Sequence, residues 1–224
     1  MDGNSMAVQR PEPLYQQVYR IVRQRILDGV YKPGEVLSES GIAQQLQVSR
    51  TPVREALRQL ISERLVTADG PEMAVANPTR DEFIDLYTCR TALEMVVAER
   101  AARLATADDV AEMEAALRDA EAAIEEFDHA RVHAANTRFH DLLVSCARMP
   151  MLSALLDTLR GPILIARRRI LADSVDTERE ILAEHRALLA AVQAGDAEAA
   201  QAVMRRHMAN DLGRGLRLYD ETPG

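Results

Sequence analysis

The ten-residue stretch VSRTPVREAL, residues 48–57, decides the fold of the first third of the chain. Ser49 suits an N-cap, and Pro52 would lie in the first turn, where its missing N–H is harmless. The pattern therefore predicts a helix that begins after Ser49. Its apolar face consists of four residues at helical spacing: Ala56, Leu57, Leu60 and Ile61.

Two further helices are predicted before this one, and a β-hairpin after it. The helices cover 14–27 and 40–46, and the strands 65–67 and 73–75 flank the turn Asp69-Gly70-Pro71. Three helices and a hairpin in about 65 residues are typical of a winged helix-turn-helix. We therefore expect a DNA-binding domain over residues 10–76.

The rest of the chain is predicted to be helical, after a linker at 77–79. Pro78 disfavours helix at the residue before it, and Thr79 with Glu82 forms a capping box that starts a new helix. Helices are predicted near 80–104, 107–127, 129–147, 151–172, 177–194 and 196–219, with Thr106, Asp176 and Asp196 as caps. The fold class is thus mostly α, with an all-α bundle of about six helices over 80–220.

The composition argues against a membrane-spanning, secreted or disulfide-stabilised protein. The chain has 224 residues, of which 47% are hydrophobic and 28% charged, as in globular proteins. No apolar run approaches the roughly 18–20 residues of a membrane helix, no secretory signal is visible, and two cysteines make no disulfide framework. A cytoplasmic protein without a membrane partner is expected. Residues 1–79 carry nine basic and nine acidic residues, whereas the remainder carries 18 and 26, so only the first part suits a polyanion.

Arg50 and Arg54 are one turn apart near the start of the predicted third helix. In a helix-turn-helix this end enters the major groove, where an arginine fork can bond guanine and Ser or Thr hydroxyls can reach phosphates or bases. An isolated pair of arginines at this spacing is more often a solvated face. Its position in a helix-turn-helix favours DNA binding.

Residues 14–67 resemble the GntR family of bacterial transcriptional regulators. The matching pieces are Gly29-Val30-Tyr31-Lys32-Pro33-Gly34-Glu35, Leu37-Ser38-Glu39, Val48 to Leu57, and Leu65-Val66. The resemblance implies a homodimer that binds a short inverted-repeat operator in double-stranded DNA. It also implies that Arg50 and Arg54 read bases, while Ser49 and Thr51 help to anchor the backbone.

Three positions depart from this family's pattern. Gln47 stands at the usual turn glycine, and Arg64 stands where a glycine usually precedes Leu65-Val66. Ser40 lies near a position where some members have another DNA-contacting arginine. The fold therefore carries over from the family, but the operator sequence does not.

All five histidines lie in the acidic part of the chain. Asn136 and His140 share a helix face at i,i+4, while His185 and His207 lie on the last two predicted helices. Three helices of a bundle can each point a nitrogen ligand inward to a metal, although single histidines are more often core or surface residues. Spacing alone leaves both interpretations open.

Residues 80–219 resemble the FCD domain, the helical ligand-binding domain of the FadR subfamily. The matching residues are Asp85-Leu86-Tyr87, Arg90, Glu94, Asn136 to His140, Glu184-His185, Gly195-Asp196 and His207-Met208. The resemblance implies a divalent metal held by Asn136, His140, His185 and His207. Histidine-rich neutral sites suit Zn, Ni or Co, and the oxygen ligand keeps Mn possible.

An aspartate is commoner at position 136, and asparagine brings no negative charge. The ligand set therefore leaves the metal's charge uncompensated, which favours a small carboxylate effector at its open positions. Arg90 is a candidate for a bidentate contact to that carboxylate, with an ion pair to Glu94 as the alternative. A metal-free pocket lined by histidines is the alternative for the whole site. For the arginines at 167–169, a solvated turn or a pairing with the helix at 107–127 is favoured over effector binding, which is the alternative.

The predicted function is that of a bacterial transcriptional regulator, commonly a repressor, controlled by the effector, and not that of an enzyme. The rival is a metal-dependent hydrolase that uses the three histidines to activate water. No carboxylate stands at an obvious general-base position, since Asp141 and Glu184 point about 100° away from the neighbouring histidines on their own helices.

Overall fold

The computed structural model of the chain describes residues 12–68, 72–171 and 174–220, and it confirms the predicted fold class. The chain divides into two compact units, residues 1–76 and 77–224. Among the described residues, no helix is long and apolar enough to cross a membrane.

The first unit contains three helices and two short strands: α1 (Leu14–Leu27), α2 (Glu39–Leu46), α3 (Arg50–Ser62), β1 (Val66–Thr67) and β2 (Ala74–Val75). The strands pair antiparallel, with Val66 opposite Val75. The core lies between α1 and α3, where Val22, Leu57 and Leu60 are fully buried. The predicted helix-turn-helix and hairpin are therefore present, although the predicted turn at 69–71 lies outside the described residues.

Gln47 and Arg64, which stand where the family usually has glycine, both adopt the left-handed backbone conformation that glycine favours. Gln47, which ends α2, has φ of 54°, and Arg64 after α3 has φ of 56°. The left-handed conformation costs a residue with a Cβ about 1–2 kcal/mol. The turn geometry is thus kept although neither residue is glycine.

The second unit contains six helices in the described residues: α4 (Arg80–Leu104), α5 (Ala107–Glu125), α6 (His129–Ala147), α7 (Pro150–Leu171), α8 (Val175–Gln193) and α9 (Ala197–Asp220). Helix α4 packs against α6, α7, α8 and α9, and its inner face supplies fully buried residues such as Tyr87 and Val97. This central position places α4 side chains beside those of the other helices in the interior of the bundle.

Side-chain caps set most of the helix starts. Thr79 and Glu82 form the predicted capping box, and Asp196 accepts from Ala199 N–H at 2.9 Å before α9. Helix α8 begins two residues earlier than predicted, because the Ser174 hydroxyl, and not Asp176, provides the cap. Asp176 lies in the first turn, where a negative charge stabilises the helix N-terminus.

Candidate functional site

The predicted DNA-binding residues lie together at the start of α3. Arg50 and Arg54 are the first and fifth residues of the helix, and their side chains are 64% and 50% exposed. Ser49 and Thr51 are exposed at the same end, and the Ser49 side chain makes no capping hydrogen bond. This end of the helix presents two guanidinium groups and two hydroxyls.

Glu39, the first residue of α2, fixes this pair of arginines. Arg54 Nε and Nη2 each donate to a Glu39 carboxylate oxygen at 2.8 Å, and Arg50 Nη2 lies 3.5 Å from the same carboxylate. The hydrogen bond from Arg54 is the largest cause that lowers the pKa of Glu39. Glu39 therefore holds the Arg54 side chain in one orientation at the start of α3. Glu39 belongs to the Leu37-Ser38-Glu39 match, but sequence reasoning gave it no role.

Three of the four predicted metal ligands meet inside the bundle. His140 from α6, His185 from α8 and His207 from α9 are at most 2% exposed, and one nitrogen of each lies within 4.8 Å of the others. His185 Nε2 and His207 Nε2 are 3.3 Å apart. Helical spacing on three separate helices therefore brings together three imidazoles, the number that catalytic and regulatory metal sites commonly use.

The protonation of these imidazoles suits metal binding, because a histidine binds a metal through its neutral imidazole. Burial, followed by the charges of Arg167 and Arg90, holds the pKa of His140 well below its usual range. Burial also lowers the pKa of His185, with His207 as the next cause. Both rings are therefore neutral at physiological pH and keep a lone pair for a cation.

Glu184 orients the third imidazole. Burial alone would raise its pKa, but hydrogen bonds from His207 and Arg214 lower the pKa of Glu184 to about 2, so the carboxylate is ionised. His207 Nδ1–H donates to Glu184 Oε2 at 2.6 Å, which leaves Nε2 facing His185. The expectation that no carboxylate lies beside these histidines is wrong for Glu184. It points away from its neighbour His185 but contacts a histidine of the adjacent helix.

Asn136, the fourth predicted ligand, lies one turn before His140 on α6 and is 6% exposed. Its Oδ1 and the Nδ1 of His140 are buried without a hydrogen-bond partner among the described residues. A buried unsatisfied polar atom costs about 1–3 kcal/mol, and an amide oxygen and an imidazole nitrogen are both groups that can bind a cation. The side chains present therefore fit a divalent metal.

Arg90 takes part in a buried ionic cluster beside the histidines. Its Nε lies 3.2 Å from Glu94 Oε1, and this ion pair is the alternative that the sequence left open for Arg90. Its Nη1 donates to the Tyr87 hydroxyl at 3.1 Å. Arg167 is 3.6 Å from the same Glu94 oxygen and only 5% exposed. The expectation of a solvated Arg167 is wrong, because α7 is buried on all sides around this residue.

Arg167 remains a cation in this environment. Burial is the largest cause, and the nearby Arg90 the next, that lowers the pKa of Arg167 to about 10. Its Nε has no hydrogen-bond partner within the described part of the chain. A charged, partly unpaired guanidinium therefore lies a short distance from the histidine cluster.

A cavity of about 310 Å³ opens at this cluster. Its inner end is formed by His140, Glu94 and Arg167, and its walls include Leu156 and Ile163. This size is at the lower limit of small-molecule sites, which measure roughly 300–1,000 Å³. His140 and Arg167 thus adjoin a space that suits a small ligand.

Two known families match the chain, and their matches follow one another in the same order as the two structural units. Residues 14–70 match the family described as bacterial regulatory proteins, gntR family, and residues 85–210 match the FCD domain. The histidines, Asn136, Glu94 and Arg167 all lie within the FCD match, and Arg50 and Arg54 lie within the gntR match.

Known proteins similar to this chain are regulators. The uncharacterised HTH-type transcriptional regulator YdhC of Bacillus subtilis is 31% identical over 205 residues, covering 90% of this chain and 91% of YdhC. The transcriptional repressor RspR of Escherichia coli is 28% identical over 204 residues, covering 88% and 86%. The solved structure of E. coli McbR/YncC superposes with a TM-score of 0.80 at 25% identity, covering 93% of this chain and all of that one.

These matches give no support to the rival hydrolase, because the matching domains and relatives are those of regulators and not of enzymes. The two domains together span nearly the whole chain in the order of a DNA-binding domain followed by a helical domain. The chain therefore belongs to the GntR family of bacterial DNA-binding transcriptional regulators, in the FadR-like group that carries an FCD domain.

Proposed function

We propose that this regulator is a homodimeric repressor whose operator affinity is set by a small carboxylate bound beside a divalent metal in the helical domain. The observation that carries the proposal is the buried cluster of His140, His185 and His207, next to a cavity and a cationic guanidinium. The relative RspR, which is named a repressor, supports repression as the outcome of DNA binding.

The residues that would hold the metal are Asn136, His140, His185 and His207. A divalent cation there would supply a fixed positive charge at which a carboxylate oxygen can bind. Zn, Ni and Co suit the three imidazoles, and the amide oxygen keeps Mn possible. Glu184 holds His207 in the tautomer that this role requires.

The charges near the site favour an anionic effector. None of the four candidate ligands carries a negative charge, while Arg90 and Arg167 add two buried cations. Glu94 lies within ion-pair distance of both. Asp211, 3.8 Å from Arg90 Nη1, also lies 3.2 Å from Arg214. With a divalent metal, the positive charge would exceed that of these carboxylates, so a carboxylate ligand would be stabilised.

At the other end of the chain, Arg50 and Arg54 would read bases while Ser49 and Thr51 contact the DNA backbone. A symmetric operator requires two recognition helices about 34 Å apart, which a homodimer provides. Effector binding would change the packing of the FCD helices and hence the spacing of the recognition helices. Coupling of this kind typically changes affinity by about 1–3 kcal/mol.

The experiment is a thermal-shift screen of small carboxylates, performed with and without added Zn²⁺, together with elemental analysis of protein purified without chelator. We expect about one divalent ion per chain, and a carboxylate that raises Tm only when the metal is present. His140→Ala should abolish both the metal content and the shift. A full carboxylate response in the metal-free protein would contradict the proposal.

A further inference from the structure

Arg167 is poised to receive an anion. Its side chain is 6% exposed, it lines the cavity, and its contact with Glu94 Oε1 is long, at 3.6 Å. Its Nε has no hydrogen-bond partner among the described residues. A buried guanidinium normally forms a bidentate pair with a carboxylate, so this one lacks a full counterpart. Arg90, by contrast, is not among the residues that line this cavity.

Glu94 is shared among three groups. Its Oε1 faces Arg90 at 3.2 Å and Arg167 at 3.6 Å, while its Oε2 lies 3.5 Å from His140 Nδ1 and accepts no hydrogen bond among the described residues. One carboxylate thus stands between two guanidiniums and an imidazole at the inner end of the cavity. This is the position in which the acid group of a ligand would find the same partners.

The outer end of the cavity has the opposite character. Arg160 and Arg167 are seven residues apart on α7, which is two turns and about 10 Å. Arg160 binds Asp141 through a fork, at 3.0 and 2.6 Å, and lies 4.0 Å from Asp157. Two carboxylates therefore accompany one guanidinium at the outer end, and both line the cavity. A second carboxylate on the ligand would be repelled there.

Apolar side chains line the space between the two ends. Ile163 and Leu164, which lie between Arg160 and Arg167 on α7, are buried, and Leu156 and Val144 line the same cavity. Burial of a short hydrocarbon chain against these side chains contributes about 25 cal/mol per Å² of apolar surface. The cavity therefore combines a cationic inner end, an apolar middle and an acidic outer end.

We propose that Arg167 binds the effector's acid group, that Glu94 holds the place which this group takes, and that the effector is a monocarboxylate with a short apolar body. This inference rests on the proposed function and specifies its ligand. Arg90 then acts as a positioning residue, since it holds Glu94 and Tyr87 and does not line the cavity.

The test uses three four-carbon probes that differ in charge: butyrate, succinate and butyramide. Their affinities for the Zn²⁺-loaded full chain are measured by titration calorimetry. The wild type should bind butyrate at least tenfold more tightly than succinate or butyramide. Arg167→Gln should weaken butyrate binding at least tenfold, whereas Arg168→Gln, the neighbouring residue outside the cavity lining, should change it less than twofold.

Glu94→Gln changes the affinity for butyrate in a direction that a purely structural role of Glu94 does not predict. Removal of the competing carboxylate should strengthen butyrate binding several-fold. The double variant Glu94→Gln/Arg167→Gln leaves neither charge of this pair in the interior, so it tests the loss of binding even if Arg167→Gln does not fold. It should bind butyrate at least tenfold more weakly than Glu94→Gln alone.

The outcomes separate this inference from the proposed function. If Arg167→Gln binds butyrate as the wild type does, or the double variant binds it as Glu94→Gln does, Arg167 does not hold the acid group, and carboxylate control can still stand. If the wild type prefers succinate, the monocarboxylate assignment is overturned. If no carboxylate binds with or without metal, the proposed function itself fails.

Discussion

Arg50→Ala is expected to weaken operator binding without weakening the fold. Arg50 is the first residue of α3, and its side chain is 64% exposed. Its ion-pair contact, to Glu39, is 3.5 Å long. Exposed pairs of this kind contribute about 0–1 kcal/mol, so Tm should stay nearly unchanged.

The effect on binding is larger. A bidentate contact between arginine and guanine contributes about 1–3 kcal/mol of discrimination. The proposed homodimer would use the contact once in each half-site, so the variant should lose about 2–6 kcal/mol of operator affinity, or roughly 30-fold to more than 10⁴-fold. The loss should be concentrated at one base pair of each half-site, where the variant should tolerate substitutions.

The assay is fluorescence anisotropy with a duplex that the wild-type protein selects from random-sequence DNA, and with single-base variants of that duplex. Arg20→Ala, which removes one positive charge from α1, is the matched control for net charge. The salt dependence should keep its slope in Arg50→Ala, since a base contact releases few counterions. An equal loss on every duplex, with a shallower slope, would show that Arg50 contacts phosphate and would refute base reading.

Three further predictions concern the packing, the turn and the metal. Gly215→Ala would place a Cβ 2.1 Å from Phe83 Cζ and should lower the free energy of unfolding by about 1–3 kcal/mol. The control Gly213→Ala meets no atom within 4 Å and should raise the free energy of unfolding by up to about 1 kcal/mol. Equal effects of the two variants in urea unfolding would argue against this packing. Gln47→Gly should stabilise the first unit by about 0.5–1 kcal/mol in thermal unfolding, because it relieves a positive φ, and destabilisation would contradict the turn geometry. Asn136→Asp adds a negative charge to the ligand set and should tighten Zn²⁺ binding at least tenfold in competition with a chromophoric chelator, and unchanged affinity would place Asn136 outside the site.

Local patterns were sufficient for the helices and for much of the candidate site. The helix at 80–104 begins and ends as predicted, because its capping box involves only Thr79 and Glu82 and needs no tertiary contact. The histidines came together because each lies on the inward face of its own helix. Spacing alone left this open, and the resemblance to the FCD domain implied it. The left-handed residues Gln47 and Arg64 also stand where the family resemblance places glycine.

Such local patterns did not predict the buried ionic cluster of Arg90, Glu94 and Arg167. Arg167 stands in a run of three arginines, which is typical of a solvated surface, yet residues 163–167 are all buried. The four apolar residues before it, Ile163-Leu164-Ile165-Ala166, were the available signal, because a helix apolar on consecutive positions is buried on every side. The contact of Glu184 with His207 joins two helices, and a helical wheel shows neighbours only on one helix.

The most direct test of the account is the operator affinity of the Zn²⁺-loaded protein with and without a saturating carboxylate identified by the thermal-shift screen. We expect the carboxylate to weaken operator binding by about 5–150-fold, and operator DNA to weaken carboxylate binding by the same factor, because coupling between two sites is reciprocal. His140→Ala should bind the operator with an affinity that the carboxylate does not change. A wild-type operator affinity that is identical with and without bound carboxylate would contradict the claim that this site controls DNA binding.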